Sequence, residues 1–244
     1  MPCLMGVGDD GLFLMLDHPL KLALFDCDGT LIDSQHAIVS AMAAAWACEG
    51  LTAPDPLRVR RVVGLSLVEA VARLRPEGDP VQHARLAEHY KRAFQRERLA
   101  GVHLEPLFPG LRQTLEALER EGVLMGVATG KSMRGLTATL ARHDLARFFV
   151  TLQTADIGPG KPDPAMVRRA LAESGVTAAD TVMIGDTVFD IEMARRAGVG
   201  ALGVTWGYHE EAELQAAGAH RIVRTGDALA SAILEQLFRS APGR

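Results

Sequence analysis

Short apolar runs closed by turn residues recur along this chain. Lys21 to Phe25 is the first, and Val123–Gly130, Phe148–Thr154, Thr181–Asp186 and Ala201–Gly207 repeat the pattern. Runs of this length, ending in Gly, Asp or Thr, predict buried strands. Helical segments lie between them. "PGLRQTLEALEREG" opens on Pro109 and closes on Gly122. "DPAMVRRALAESG" starts at Asp163-Pro164 and stops at Gly175, and "VFDIEMARRAG" ends in Arg195, Arg196 and Gly198. Proline inside the start, basic residues in the last turn and glycine past the end are helix punctuation.

Strands alternating with helices of this length predict an α/β fold: a doubly wound, Rossmann-like parallel sheet covered on both faces. Residues 35–107 break the rule. "HAIVSAMAAAWACEG", "SLVEAVARL" and "VQHARLAEHYKRAFQRERLAG" carry helical periodicity and no strand pattern. This stretch is predicted to be an all-helical cap, entered at "DSQ" and left at "EPLFPG". The expected division is a core of residues 21–34 and 108–244, a cap of 35–107, and a flexible extension of 1–20, with Met15 an equally good start.

Composition narrows the class. The chain has 244 residues, 48% of them hydrophobic, enough for one core or a core with a smaller satellite. A net charge of -4 gives no basic surplus to suit nucleic acid or an anionic membrane. No apolar run is long enough to span a bilayer. Cys3, Cys27 and Cys48 have neither disulfide-framework nor zinc spacing, and the first residues lack a secretory pattern, so a reducing cytoplasm is expected.

In an open α/β sheet, ligands bind beyond the carboxyl ends of the strands. Four predicted strands lead into chemistry there. The first runs into Asp26-x-Asp28-Gly29-Thr30, and the second ends in Thr129-Gly130. Lys161 follows the third in "GPGKPDP", and the fourth reaches Asp186 and Asp190 in "GDTVFD". Crowded carboxylates bind a hard cation or shift in pKa. A carboxylate can also attack phosphorus, and a second can act as general acid and then base. A transferring phosphoryl group needs a cation and donors around its oxygens, which Lys161, Thr129 and the Gly130 backbone offer.

"FDCDGTLIDS", "ATGK", "GKPDP" and "GDTVFD", in that order, resemble the four motifs of the haloacid dehalogenase superfamily of phosphatases. The resemblance runs from about Lys21 to at least Gly207. Through "EPLFPG", "GKPDP" and "GVTWGYH" it is nearest the phosphoglycolate phosphatase-like branch. It implies Asp26 as nucleophile and Mg²⁺ ligand, with Asp28 as general acid/base and backbone ligand. It implies phosphate binding by Thr129, Gly130 and Lys161, a Mg²⁺-binding Asp186, and a supporting Asp190. The activity implied is Mg²⁺-dependent hydrolysis of a small phosphorylated metabolite such as phosphoglycolate, by a monomer or homodimer.

Other readings share some of these residues. A phosphosugar mutase uses the same core motifs and returns the phosphoryl group to a sugar. A dehalogenase needs no metal, and Asp28 with Asp186 argues against it. A phosphonate hydrolase would use a cap lysine, and Lys91 is the only one, with no motif around it. A non-enzymatic phosphoacceptor domain places its acceptor after the third strand. Cys27 reads as a small buried hydrophobe rather than a redox sensor. His36 reads as a polar residue at a helix start, near Ser34 and Gln35. Of the cap, Arg58-Val59-Arg60-Arg61, followed by Gly64-Leu65-Ser66, is the stretch expected to meet substrate, while two of its three arginines suit a solvated helix face at least as well. Trp206 and Tyr208 suit a core or turn role better than a stacking pair.

Overall fold

The computed structural model describes residues 19–238. Its sheet has six parallel strands: β1 (Leu22–Phe25), β2 (Leu124–Thr129), β3 (Phe149–Thr154), β4 (Thr181–Gly185), β5 (Gly200–Val204) and β6 (Arg221–Val223). Their spatial order is β3-β2-β1-β4-β5-β6. The chain winds outward from β1 through β2 to β3, then crosses back to β4. The crevice between β1 and β4 is therefore the switch point, where such sheets bind ligands.

Among the described residues ten α-helices accompany the sheet. The first four, α1 (Gln35–Cys48), α2 (Pro56–Arg60), α3 (Leu67–Leu74) and α4 (Pro80–Leu99), come before β2. Then follow α5 (Leu111–Arg120), α6 (Met133–Arg142), α7 (Ala165–Ser174), α8 (Val188–Ala197), α9 (Glu211–Ala216) and α10 (Leu229–Leu237).

Alternation along β1 splits the core. Ala23, Phe25 and Cys27 face a cluster with Leu115 of α5, Leu136 of α6 and Ile233 of α10. Leu22 and Leu24 face the opposite cluster, with Val167 of α7, Ile191 of α8 and Leu214 of α9. A strand buried on both faces needs apolar residues at both parities, which is why β1 reads as a continuous apolar run.

Helices α1 to α4 pack on one another around Met42, Trp46, Val71 and Leu86, and Phe189 of α8 joins their cluster. Two short links lie beneath: Ile32 pairs with Leu107, and Asp33 N donates to Pro106 O. The helical insert thus stands over the carboxyl ends of β1 and β4.

The expected strands are all present, but Thr205–Gly207 lies beyond the end of β5 in a bend. β6 carries no strand pattern, because only one of its three residues, Val223, is buried. Residues 1–18 and 239–244, including Cys3, Met15 and most of the expected extension, lie outside the described residues. Among the described residues no helix is long and apolar enough to cross a membrane.

Candidate active site

β1 and β4 end level, so Asp26 N still donates to Ile184 O at 2.9 Å while its carboxylate emerges above the sheet. Three residues on, Gly29 takes φ +90°, and a Cβ there would lie 2.3 Å from Asp186 Oδ2. A side chain is excluded both by the left-handed backbone and by the approach of the carboxylate. Asp186 is held from both sides: Thr30 Oγ1 donates to Oδ1 at 2.7 Å, and Tyr208 N donates to Oδ2 at 2.9 Å.

Lys161 has no exposure, and its Nζ sits 2.7 Å from Asp26 Oδ1 and 2.6 Å from Asp190 Oδ1. The other oxygen of Asp190 accepts from Thr187 N and Thr187 Oγ1, at 3.0 and 2.7 Å, closing a capping box at the start of α8. That box fixes Asp190, and Asp190 in turn aims Lys161 at Asp26. The structure brings Asp26, Asp186, Asp190 and Lys161 together.

Burial sets the electrostatics. It pushes the Asp26 carboxyl up to about 7 against the downward pull of Lys161, and the neighbouring Asp190 adds to the rise. Burial, then Asp26 and Asp190, holds Asp186 well above the carboxylate range. Lys161 also shifts upward: burial disfavours its charge, but Asp190 and Asp26 outweigh it. Both partners of the Lys161–Asp26 contact rise, although attraction alone would lower the acid. We read this as three acids sharing one ammonium. Lys161 stays charged and the acids are left under-neutralised.

This donor set suits a divalent cation. Oxygens of Asp26, Asp186 and Asp190 lie within 4.8 Å of one another, and Asp26 Oδ2 is buried without a hydrogen-bond partner. Hard, crowded oxygens of this kind fit Mg²⁺ better than a soft metal. The Asp28 side chain stands apart from the cluster: its Oδ1 accepts from Ser34 Oγ at 2.6 Å and Lys131 Nζ at 2.9 Å.

The sequence alone does not assign Lys131 and Ser34 to the site, and Ser34 reads there only as a residue near the hinge. Lys131 stands within "ATGK", and its partner Asp28 lies 103 residues away, so spacing carries no signal. Burial disfavours its charge, but Asp28 outweighs this and holds its pKa upward. Thr129 is buried, and its Oγ1 accepts from Lys131 N at 3.2 Å. A Cβ on Gly130 would lie 2.4 Å from Leu65 O, so the insert's backbone closes directly onto this glycine.

Between sheet and insert lies a cavity of about 320 Å³, with Asp26, Asp28 and Thr129 on its floor. Gly64, Leu65 and Ser66 line it, but Arg58, Arg60 and Arg61 do not. The expected basic contact is corrected accordingly. Arg61 instead reaches across to the core, where its Nη1 donates to Glu213 Oε2 at 2.6 Å and its carbonyl accepts from His209 Nε2 at 3.3 Å. His209 Nδ1 accepts from Val188 N, which fixes the neutral tautomer, and burial followed by Arg61 lowers its pKa. Trp206 Nε1 donates to Thr30 O and its ring meets Phe108. Tyr208 serves Asp186 through its backbone.

Comparison with known proteins agrees with this arrangement. Residues 23–204 match the family model of haloacid dehalogenase-like hydrolases. The "Probable phosphatase IndB" of Dickeya dadantii is 35% identical over 208 residues, covering 84% of this chain and 89% of that protein. A phosphoglycolate phosphatase of Pseudomonas fluorescens is 31% identical over 194 residues, covering 78% of this chain and 71% of that one. Among solved structures, a hydrolase from Pseudomonas syringae superposes with TM-score 0.78 at 28% identity, over 88% of this chain and 98% of that one. With the motifs, the sheet order and the family match in agreement, the chain belongs to the haloacid dehalogenase-like hydrolases.

Proposed function

We propose that this enzyme, a phosphoric monoester hydrolase, works through a covalent aspartyl-phosphate on Asp26, with Mg²⁺ as cofactor. The observation that carries the reading is the buried Lys161 ammonium between Asp26 and Asp190, beside Asp186. The relatives named phosphatase support the reaction class. The two free cysteines among the described residues, Cys27 and Cys48, suit a reducing cytoplasm.

In the first step an Asp26 oxygen bonds to phosphorus as the bond to the leaving oxygen breaks. Asp28 gives that oxygen a proton, so the alcohol leaves neutral. Lys161, the Thr129 hydroxyl and backbone N–H groups around Gly130 hold the phosphoryl oxygens. In the second step Asp28 takes a proton from a water as it attacks the same phosphorus. Inorganic phosphate departs and the Asp26 carboxylate returns. Asp26, Asp186 and the Asp28 carbonyl would hold Mg²⁺, which supplies positive charge for the phosphoryl oxygens when bound.

The test is phosphate release from phosphoglycolate, sugar phosphates, nucleotides and pyrophosphate, with Mg²⁺ or with chelator. Release that needs Mg²⁺ and vanishes in Asp26→Asn is expected. Full release by Asp26→Asn would overturn the mechanism. Rearrangement of a sugar phosphate without free phosphate would favour the mutase instead.

A further inference from the structure

The roof of the cavity is built for more than a two-carbon acid. On α4, Tyr90, Phe94 and Arg98 follow one another at intervals of four residues, and all three line the cavity. That spacing puts them on one helix face. The Tyr90 and Phe94 rings lie 5.7 Å apart, and Met42 of α1 faces the same space. Phosphoglycolate has a single methylene to set against this surface.

Two cations frame the aromatic stripe. Lys131 Nζ lies 5.0 Å from the Phe94 ring centroid, at the boundary with the core, and donates to Asp28. Arg98 stands one helical turn beyond Phe94; the residue is half-buried, and its Nη1 is removed from solvent without a hydrogen-bond partner. A guanidinium cannot shed its proton, so a donor withdrawn from water without a partner favours an anion beside it. The phosphoryl chemistry uses Lys161 and leaves Arg98 with no task.

We propose that this face is the leaving-group subsite, and that it takes a phosphomonoester whose alcohol carries a ring-sized apolar body and a second anionic group. The body lies on Tyr90 and Phe94, and the anion pairs with Arg98, with Lys131 as the nearer cation. This inference rests on the phosphatase reading above.

The experiment compares 4-carboxyphenyl phosphate with its neutral isostere, 4-carbamoylphenyl phosphate, using phosphoglycolate as the small reference. The expected ratio of kcat/KM, carboxylate over amide, is about 10 to 100, the span for a hydrogen bond to a charged group. Arg98→Gln brings the ratio towards one, and Arg98→Lys restores part of it. Phe94→Ala lowers kcat/KM for the aryl esters relative to phosphoglycolate. Equal rates on the two aryl esters, or an unchanged ratio in Arg98→Gln, would overturn the subsite and leave the phosphatase reading standing. A separate readout needs no turnover: titration calorimetry with 4-carboxybenzylphosphonate and its carbamoyl analogue. Preferential binding of the carboxylate, lost in Arg98→Gln, supports the subsite even if every ester stays intact, an outcome that sinks the phosphatase reading alone. Equal binding of the two phosphonates counts against the subsite.

Discussion

Lys161 Nζ stands 2.6 Å from Asp190 Oδ1, and both side chains are wholly removed from solvent. The contact ties the loop after β3 to the first turn of α8. Asp190 cannot turn away, because its other oxygen caps that turn. Removing the lysine would leave under-neutralised acids within 4.8 Å of one another. Lys161→Met is therefore expected to cost about 3–5 kcal/mol, the usual loss when one partner of a buried pair is deleted. Urea unfolding in chelator measures it; an unchanged midpoint would mean the acids had already been protonated and the pair was not charged.

The same crowding predicts a response to metal that does not depend on turnover. A cation that binds only the folded state stabilises it, by about 2.7 kcal/mol at a hundredfold excess over Kd. For a chain of this size that is a rise in Tm of about 5–10 °C. Asp186→Asn removes one of the three clustered carboxylates and should abolish most of the rise. Thermal melts with Mg²⁺ and with chelator decide it. An equal rise in the variant would place the metal elsewhere.

How much of this was legible beforehand follows from how far each signal reaches along the chain. β1, β2 and β4 are buried on both faces, so their residues announce themselves as apolar runs. β6 has three residues and only Val223 fully buried, so nothing marks it. Asp26, Lys161, Asp186 and Asp190 are carried by four local motifs and could be placed in order. That no arginine of Arg58, Arg60 and Arg61 lines the cavity is not legible, because one helix turn does not show which way its side chains point; a solvated face suits the exposed Arg58, and Arg61 faces Glu213 of α9. Arg98 and Lys131 escaped for the same reason: their significance lies in contacts across the cavity.

Gly130 tests how closely insert and core must meet. A methyl group there would stand 2.4 Å from Leu65 O and 2.7 Å from Gly64 O, both backbone atoms. Contacts that short cannot be absorbed by turning a side chain, so the Gly64–Leu65 segment must lift from the end of β2. Gly130→Ala is expected to lower kcat/KM by about tenfold to a hundredfold, the scale for a displacement near 1 Å at a reacting centre. The global fold should persist, since neither hydrophobic cluster of the sheet includes this residue. Kinetics beside a urea melt separate the two effects. Unchanged kinetics would show that the insert does not need this contact for turnover.

The Arg61–Glu213 pair joins insert and core at the surface, and its worth should be small. The Arg61 guanidinium, and then the Glu210 backbone, hold the Glu213 carboxyl down to about 2. Its side chain is 35% exposed, so solvent screens the pair and the shift overstates the stabilisation. Glu213→Gln is expected to cost less than about 1 kcal/mol at neutral pH. The sign follows from the depressed value. The contribution is complete above the ordinary glutamate range and is lost as pH falls through it towards about 2. The difference between wild type and Glu213→Gln should therefore shrink between pH 7 and pH 3. It should shrink also at pH 7 in about 1 M salt, where the screening length falls to about 3 Å. Paired urea melts under the three conditions measure it. A difference that grows in acid would assign the stabilisation to the neutral carboxyl and not to the ion pair.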